Sequence, residues 1–263
     1  MNTYDHTGST IDLINANEFQ SPPKETDFLF NGGDSKSLFR KNLKTQPHDW
    51  KYRTAPVRYT LNSQGYRTAE FKDIVWEDSV VIFGCSNVFG VGVTDDDTLS
   101  SQLSNIIGMP VINMGFPGSG TTLALHHATI LSDRYPTPKA VINLWAGVNR
   151  TSYYSQDAIL NHGPWSLGKG KSGNDYMTQW MKDETHGEVL AMLASRASKI
   201  LWEDTVYLET TYAEPTANLL ECSLQLATDN ARDITETGIA HPGRKSHCNV
   251  AKYIADTITS QLT

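Results

Sequence analysis

Residues 77–93 read EDSVVIFGCSNVFGVGV. A run of β-branched and aromatic residues, Val80 to Phe83, stops at Gly84, and Ser86 and Asn87 follow before two more glycines, Gly90 and Gly92. A short, continuous apolar run closed by glycine is the pattern of a strand covered on both faces, as in a parallel sheet. Two later runs repeat it, MPVINM closing at Gly115 and KAVINLW followed by Gly147. The three glycines stand 31 and 32 residues apart, which suits a strand, a crossover helix and the next parallel strand. Between them, TLSSQLSNII (98–107) and TTLALHHATILSDRY (121–135) carry apolar residues at helical spacing, and Pro136 stops the second. The expected architecture is a three-layer α/β/α sandwich around a mainly parallel sheet.

Working outward, residues 175–202 read as helical with a break near Gly187, and DTVYLET (204–210) as a fourth strand. Residues 222–228 fit either a fifth strand or the end of a helix. The segment 246–262 closes the chain as a helix, with Val250, Tyr253, Ile254 and Ile258 on one face. Residues 1–55 are polar and interrupted at Pro22-Pro23, Gly32-Gly33 and Pro47, which predicts an extended arm wrapping a body of residues 56–263.

Hydrophobic residues make up 39% of the 263, enough for a packed core. There are 29 acidic against 22 basic residues and no Lys/Arg run, which argues against nucleic acid as the main partner. Neither a leader pattern nor a membrane span is present in the sequence. Cys85, Cys222 and Cys248 form no disulfide framework and no Cys-x-x-Cys site. A cytoplasmic location is the default expectation, although a virion-associated protein would look the same. No cofactor or metal is expected. Gly90 and Gly92 lack the rest of a phosphate-loop or dinucleotide fingerprint, Asp95–Asp97 are explained by helix capping, and His126-His127 has no ligand cluster around it.

In a parallel sheet the carboxyl ends of the strands share one edge, where ligands usually bind. That edge should carry Gly84-Cys85-Ser86-Asn87, Asn113-Met114-Gly115 and Gly147-Val148-Asn149. Ser86, just past a strand and ahead of a helix-forming segment, stands where a hydroxyl can enter a cleft beside backbone donors. The Gly-x-Ser-x-Gly elbow is not matched, because Val88 occupies its last position, and a loop serine satisfying its own backbone would sit in the same place. The Gly115 N–H and the Asn149 amide are candidate donors to an oxyanion; their plainer roles are a turn and a loop closure. His241, in an HPG turn before the closing helix, is a candidate base for Ser86, with His247 in the first helical turn as its rival. Asp233, Glu236 and Asp229 are the carboxylates available to orient the ring.

This ordered set resembles the SGNH hydrolases, the GDSL-type esterases and lipases. The first block corresponds to Gly84-Cys85-Ser86 with Gly90 and Gly92, the second to Gly115, the third to Gly147-Val148-Asn149 and the last to His241 in HPG. GYRTAEF (65–71) also looks like a segment that often precedes the first block. The resemblance spans about residues 59–262 and implies a flavodoxin-like SGNH fold. It gives Ser86 the role of nucleophile and His241 that of base, with Ser86, Gly115 and Asn149 as oxyanion donors. The implied activity is hydrolysis of a small acyl or acetyl ester, with an acylated carbohydrate as one substrate class that the resemblance suggests.

Cys85 and Arg150 replace aspartates of the pattern, and the place of the family's acid, three residues before the histidine, is taken by Gly238. Asp233, eight residues before His241, is the favoured substitute. That altered spacing also motivates the alternative, a non-catalytic carbohydrate-binding or structural protein on the same fold. The sequence does not specify an oligomeric state.

Overall fold

The computed structural model describes residues 27–154, 159–164, 184–212, 216 and 229–262. Its elements, in chain order, begin with β1 (Asp27–Phe28), α1 (Lys36–Thr45) and β2 (Tyr59–Thr60). The central part comprises β3 (Val80–Gly84), α2 (Ser86–Phe89), α3 (Leu99–Ile107), β4 (Val111–Gly115), α4 (Thr121–Arg134) and β5 (Ala140–Trp145). They are followed by β6 (Thr151–Tyr154), β7 (Ile159–His162), α5 (Thr185–Leu201), β8 (Val206–Thr211) and α6 (Arg244–Ile258).

Successive side chains of a strand point to opposite faces, so a strand apolar at every position needs cover on both sides. In β3, Val81 and Phe83 join α4 residues such as Leu123 and Leu131, together with Ala194 of α5. Val80 and Ile82 face the other way, onto Leu99 and Leu103 of α3 and onto Val250, Ile254 and Ile258 of α6. The strand order is β4-β3-β5-β8, and every pairing in this sheet is parallel. Gly84 lies opposite Gly115 on β4 and Leu144 on β5, so the carboxyl ends come to a common edge. The fold is therefore the three-layer α/β/α sandwich expected from the glycine spacing.

Several details differ from the sequence reading. α5 begins at Thr185, so Gly187 lies in its first turn. A Cβ there would come within 2.0 Å of the Val148 carbonyl oxygen, so the glycine lets α5 press against the loop after β5. Tyr253 is 44% exposed, while His247, Val250, Ala251, Ile254, Ala255 and Ile258 form the buried face of α6. The predicted structure at 222–228, and the first part of the helix predicted from 175, lie outside the described residues.

Residues 36–45, read as extended, form α1, capped where the Ser35 hydroxyl accepts the Leu38 N–H at 3.2 Å. β1 pairs with β2 across the expected boundary at residue 55. A third apolar cluster, including Tyr52, Val57, Tyr59, Phe28 and Phe39, packs on Phe89 and Val91 just beyond Ser86. Residues 27–60 are thus built into the body beside the candidate site.

Gly115 shows how tightly α2 is seated. An added Cβ would lie 2.3 Å from the Phe89 backbone nitrogen, with Val88 backbone carbon at 2.8 Å. Backbone cannot yield as a flexible side chain can, so Gly115→Ala should lose about 3 kcal/mol or more, the upper end of overpacking costs. Urea unfolding of the variant against wild type measures this, and an unchanged midpoint would contradict the packing argument.

Candidate active site

Ser86 opens α2 directly after the end of β3, with Cys85 at the N-cap. Its amide, as the first of a helix, has no acceptor within that helix. The helix is one turn long and ends at Gly90, in the left-handed region at φ +83°. Ser86 is buried, and its Oγ lies 4.0 Å from Cys85 Sγ.

The loop after α2 is held by Arg67, the arginine of GYRTAEF. Its Nη1 donates to the Phe89 and Gly90 carbonyls at 3.1 and 2.7 Å, and its Nη2 to those of Arg58 and Val93 at 2.7 and 2.8 Å. Nε donates to Asp95 Oδ1 at 2.6 Å. A guanidinium has five N–H donors, and these bonds employ all of them. A cavity of about 290 Å³ lies against Arg67 and Asp95, lined also by Thr60, Thr68, Thr98 and Ser101. Ser86, Asp233 and His241 do not line it.

Asp233 and His241 are brought together by a hairpin-like excursion. The Ala231 N–H donates to the His241 carbonyl at 2.9 Å, and Asn230 bridges to Pro242. At the tip, the Thr235 N–H donates to the Ile239 carbonyl at 2.8 Å, and Gly238 takes φ +81°. Asp233 then holds His241 twice: Oδ1 accepts the backbone N–H at 3.1 Å and Oδ2 lies 2.5 Å from Nδ1. The Asp233 side chain is 7% exposed and that of His241 26%, so the ring retains access to solvent while its partner does not. Of the other two candidate acids, Glu236 pairs at the surface with Lys41 at 2.8 Å. Asp229 receives the Lys245 and Ser246 N–H groups at the start of α6. Burial pushes Asp229 up, but those amides and the Ser246 hydroxyl outweigh it and leave the carboxyl below its usual range.

This excursion is stitched to the loop after Ser86. The Arg232 N–H donates to the Gly92 carbonyl at 2.9 Å. A Cβ on Gly92, where φ is +80°, would meet Ala231 Cβ at 2.7 Å and Asp233 Oδ1 at 3.1 Å. The residue before the acid and the turn after the serine are therefore in direct contact. Among the described residues, however, no hydrogen bond joins Ser86 to His241.

The predicted oxyanion donors are placed unequally. The Gly115 N–H donates to Asn113 Oδ1 at 3.0 Å and is committed there. Asn149 is partly exposed in the turn after β5, where the Arg150 N–H donates to the Gly147 carbonyl at 3.1 Å. The turn after β4 adds a residue that the sequence reading passed over. Gly118 sits there at φ +82°, and its N–H has no acceptor among the described residues. Ser119 Oγ fixes that turn to the Gly84 carbonyl at 3.2 Å.

His247, the rival base, is completely buried in α6, and neither ring nitrogen has a hydrogen-bond partner among the described residues. That is no place for a proton shuttle. Burial lowers its pKa to about 4, with Asp229 opposing and Arg67, His241 and Lys51 adding to the depression. His127 is lowered to about 3, again mainly by burial.

No protein-family model and no curated protein matches the chain. Solved structures that it resembles include an acetyl xylan esterase from the rumen bacterium Butyrivibrio proteoclasticus, at 10% identity and a TM-score of 0.42, over 72% of this chain and 65% of that one. A family two carbohydrate esterase from Cellvibrio japonicus aligns at 8% identity and a TM-score of 0.41, over 72% of this chain and 62% of that one. A Corynascus thermopiles (Myceliophthora fergusii) carbohydrate esterase family 2 enzyme with a carbohydrate-binding domain gives 11% identity and 0.41, over 71% and 67%. The chain thus spans less than two thirds of the first of these.

The buried histidines predict acid sensitivity. An unfolded histidine binds a proton below about pH 6.5, whereas folded His247 does so only near pH 4. Its contribution to stability is full above pH 6.5 and is lost as pH falls toward 4, with a limiting slope of about 1.4 kcal/mol per pH unit. Melting temperatures measured from pH 7 to 4.5 should fall, and His247→Leu should flatten that fall. Equal pH slopes in both proteins would contradict the burial of a neutral His247.

Proposed function

We propose that the chain is a serine-dependent ester hydrolase, a divergent SGNH-type enzyme acting on a small acyl or acetyl ester. The observation that carries the reading is the Asp233–His241 pair. A buried carboxylate 2.5 Å from Nδ1 favours the tautomer that keeps Nε2 unprotonated, as a base for a serine hydroxyl requires. The pair lies on a loop bonded to the turn that follows Ser86.

In this reading His241 Nε2 removes the Ser86 proton as Oγ attacks the ester carbonyl. It then returns that proton to the leaving alcohol, producing an acyl-serine. Water, deprotonated by the same nitrogen, attacks the acyl carbon; the proton passes back to Ser86 and the acid is released. Contacts of this kind are often long before substrate binds, which accommodates the missing Ser86–His241 bond.

The developing oxyanion takes donors from the Ser86 N–H and the Asn149 amide. A Gly115 donor would first have to leave Asn113 Oδ1, so we add the uncommitted Gly118 N–H as the better third candidate. An acylated carbohydrate remains the proposed substrate class, on the family resemblance. The second reading, a non-catalytic carbohydrate-binding protein, is favoured by one observation: the absence of a hydrogen bond between Ser86 and His241.

Purified protein should release acetate from p-nitrophenyl acetate and from acetylated sugars. Ser86→Ala and His241→Ala should each lower turnover by about 10³-fold or more, and Asp233→Asn by about 10²–10⁴-fold. Equal rates in wild type and Ser86→Ala would remove the serine mechanism. Binding of acetylated sugars with no turnover would establish the second reading instead.

A further inference from the structure

We propose that Asp34 is a positioning residue for the Asp233–His241 pair, acting through Arg232 and through Tyr59. Its catalytic consequence rests on the hydrolase reading; its effect on the His241 ring does not.

Arg232 immediately precedes Asp233, and its guanidinium is gripped by the Asp34 carboxylate. Nε donates to Oδ1 at 3.0 Å and Nη2 to Oδ2 at 2.7 Å, a two-pronged pairing that fixes orientation as well as distance. Nη2 also donates to the Leu29 carbonyl. The two side chains are only 4% and 1% exposed. Phe30 and Phe39 stack against the cation at 4.5 and 5.2 Å from their ring centres. The backbone is held too: Asn42 Nδ2 donates to the carbonyls of Arg232 and Ile234, at 3.1 and 2.8 Å, on either side of Asp233.

The same carboxylate reaches the loop after Ser86. The Tyr59 hydroxyl donates to Asp34 Oδ2 and accepts the Gly92 N–H at 2.8 Å. Burial, reinforced by Asp34, raises the phenol's pKa and keeps it a donor. Since the Gly92 carbonyl accepts the Arg232 N–H, Asp34, Arg232, Gly92 and Tyr59 close a ring of hydrogen bonds. One side of this ring carries Asp233 and the other ends the turn that begins at Ser86. Asp34 therefore sets both loops from one point, although it lies 198 residues from Arg232 in the chain.

The test compares wild type with Asp34→Asn and Tyr59→Phe, after thermal melts establish folding. ¹⁵N-histidine NMR reads the tautomer of His241, assigned with His241→Asn, and p-nitrophenyl acetate kinetics give kcat and KM. In Asp34→Asn we expect His241 to pass from the Nδ1-protonated tautomer to a mixture. We expect kcat to fall about tenfold to a hundredfold with KM nearly unchanged, as for a small misplacement of a catalytic group. Tyr59→Phe, which keeps the ring stack and the carboxylate, should show the same changes at a smaller amplitude and decides the matter if Asp34→Asn does not fold.

A folded variant with wild-type tautomer and kcat overturns the inference. A lower melting temperature with both readouts unchanged also overturns it, because the role is then structural only. If the wild type hydrolyses no ester, the hydrolase reading falls separately, and the tautomer alone decides: a mixture in the variant supports the positioning role and an unchanged tautomer rejects it.

Discussion

The ion pair between Asp34 and Arg232 constrains the candidate site more than any other interaction. Removing two charges from water costs several kcal/mol per ion, and the cost is offset only when geometry is good and every remaining donor and acceptor is occupied. Here the carboxylate takes Arg232 at both oxygens and Tyr59 at one, and the cation is flanked by Phe30 and Phe39. Losing one partner would strand the other as a buried, unpaired charge, typically a loss of 3–5 kcal/mol. Such a pair tolerates few relative placements of the segments that carry it. Residues 27–60 and the Asp233–His241 excursion are therefore folded as one unit, and the Phe28–Tyr59–Phe89 stack extends that unit to α2.

On the hydrolase reading, a fixed Asp233–His241 loop explains how a spacing of eight residues can stand where the resemblance implies three. Distance along the chain matters only if the intervening residues wander. Between Asp233 and His241 they form a tight reversal, closed at its base by the Ala231–His241 bond and at its tip by the Thr235–Ile239 bond. The Asn42 amide and the Lys41–Glu236 pair, both from α1, fasten the reversal from outside. The surface pair contributes little, but the Asn42 bonds satisfy carbonyls that the reversal would otherwise leave unpaired.

The central sheet was legible because its signal is local and repeated. Val80–Phe83, Val111–Met114 and Ala140–Trp145 are covered on both faces, and the glycines that end the first two, Gly84 and Gly115, leave no room for a Cβ. Ser86 and His241 were legible as candidates because a turn follows each. The arm was not. Asp34, Asn42 and Tyr59 look like ordinary polar and aromatic residues of an irregular segment, and their partners lie far away in the chain. Arg232 stood in view beside Asp233, but nothing local marks an arginine as buried. The burial of His247 was not legible for the opposite reason: the first turn of a helix is usually solvated, whereas here its ring is completely buried. The Asn113 side chain took the Gly115 amide, a tertiary choice that no spacing records.

Ser86 depends on the same long-range ties. A helix of one turn is too short to be stable in isolation, so the geometry of α2 comes from what surrounds it. Gly115 admits its backbone against β4, Arg67 collects the carbonyls of Phe89, Gly90 and Val93, and Gly92 is bonded to Tyr59 and Arg232. Each tie fixes backbone, and none engages the serine hydroxyl. The main chain is thus tied down on both sides, the His241 ring is held at Nδ1 by Asp233, and Ser86 Oγ is left outside these ties. On the hydrolase reading, Ser86 Oγ is the part left to turn, and side-chain rotation is fast where loop closure is slower. On the same reading, the ring through Asp34 would lower the entropic cost of bringing nucleophile and base together, since the backbones that carry them are already bonded to each other.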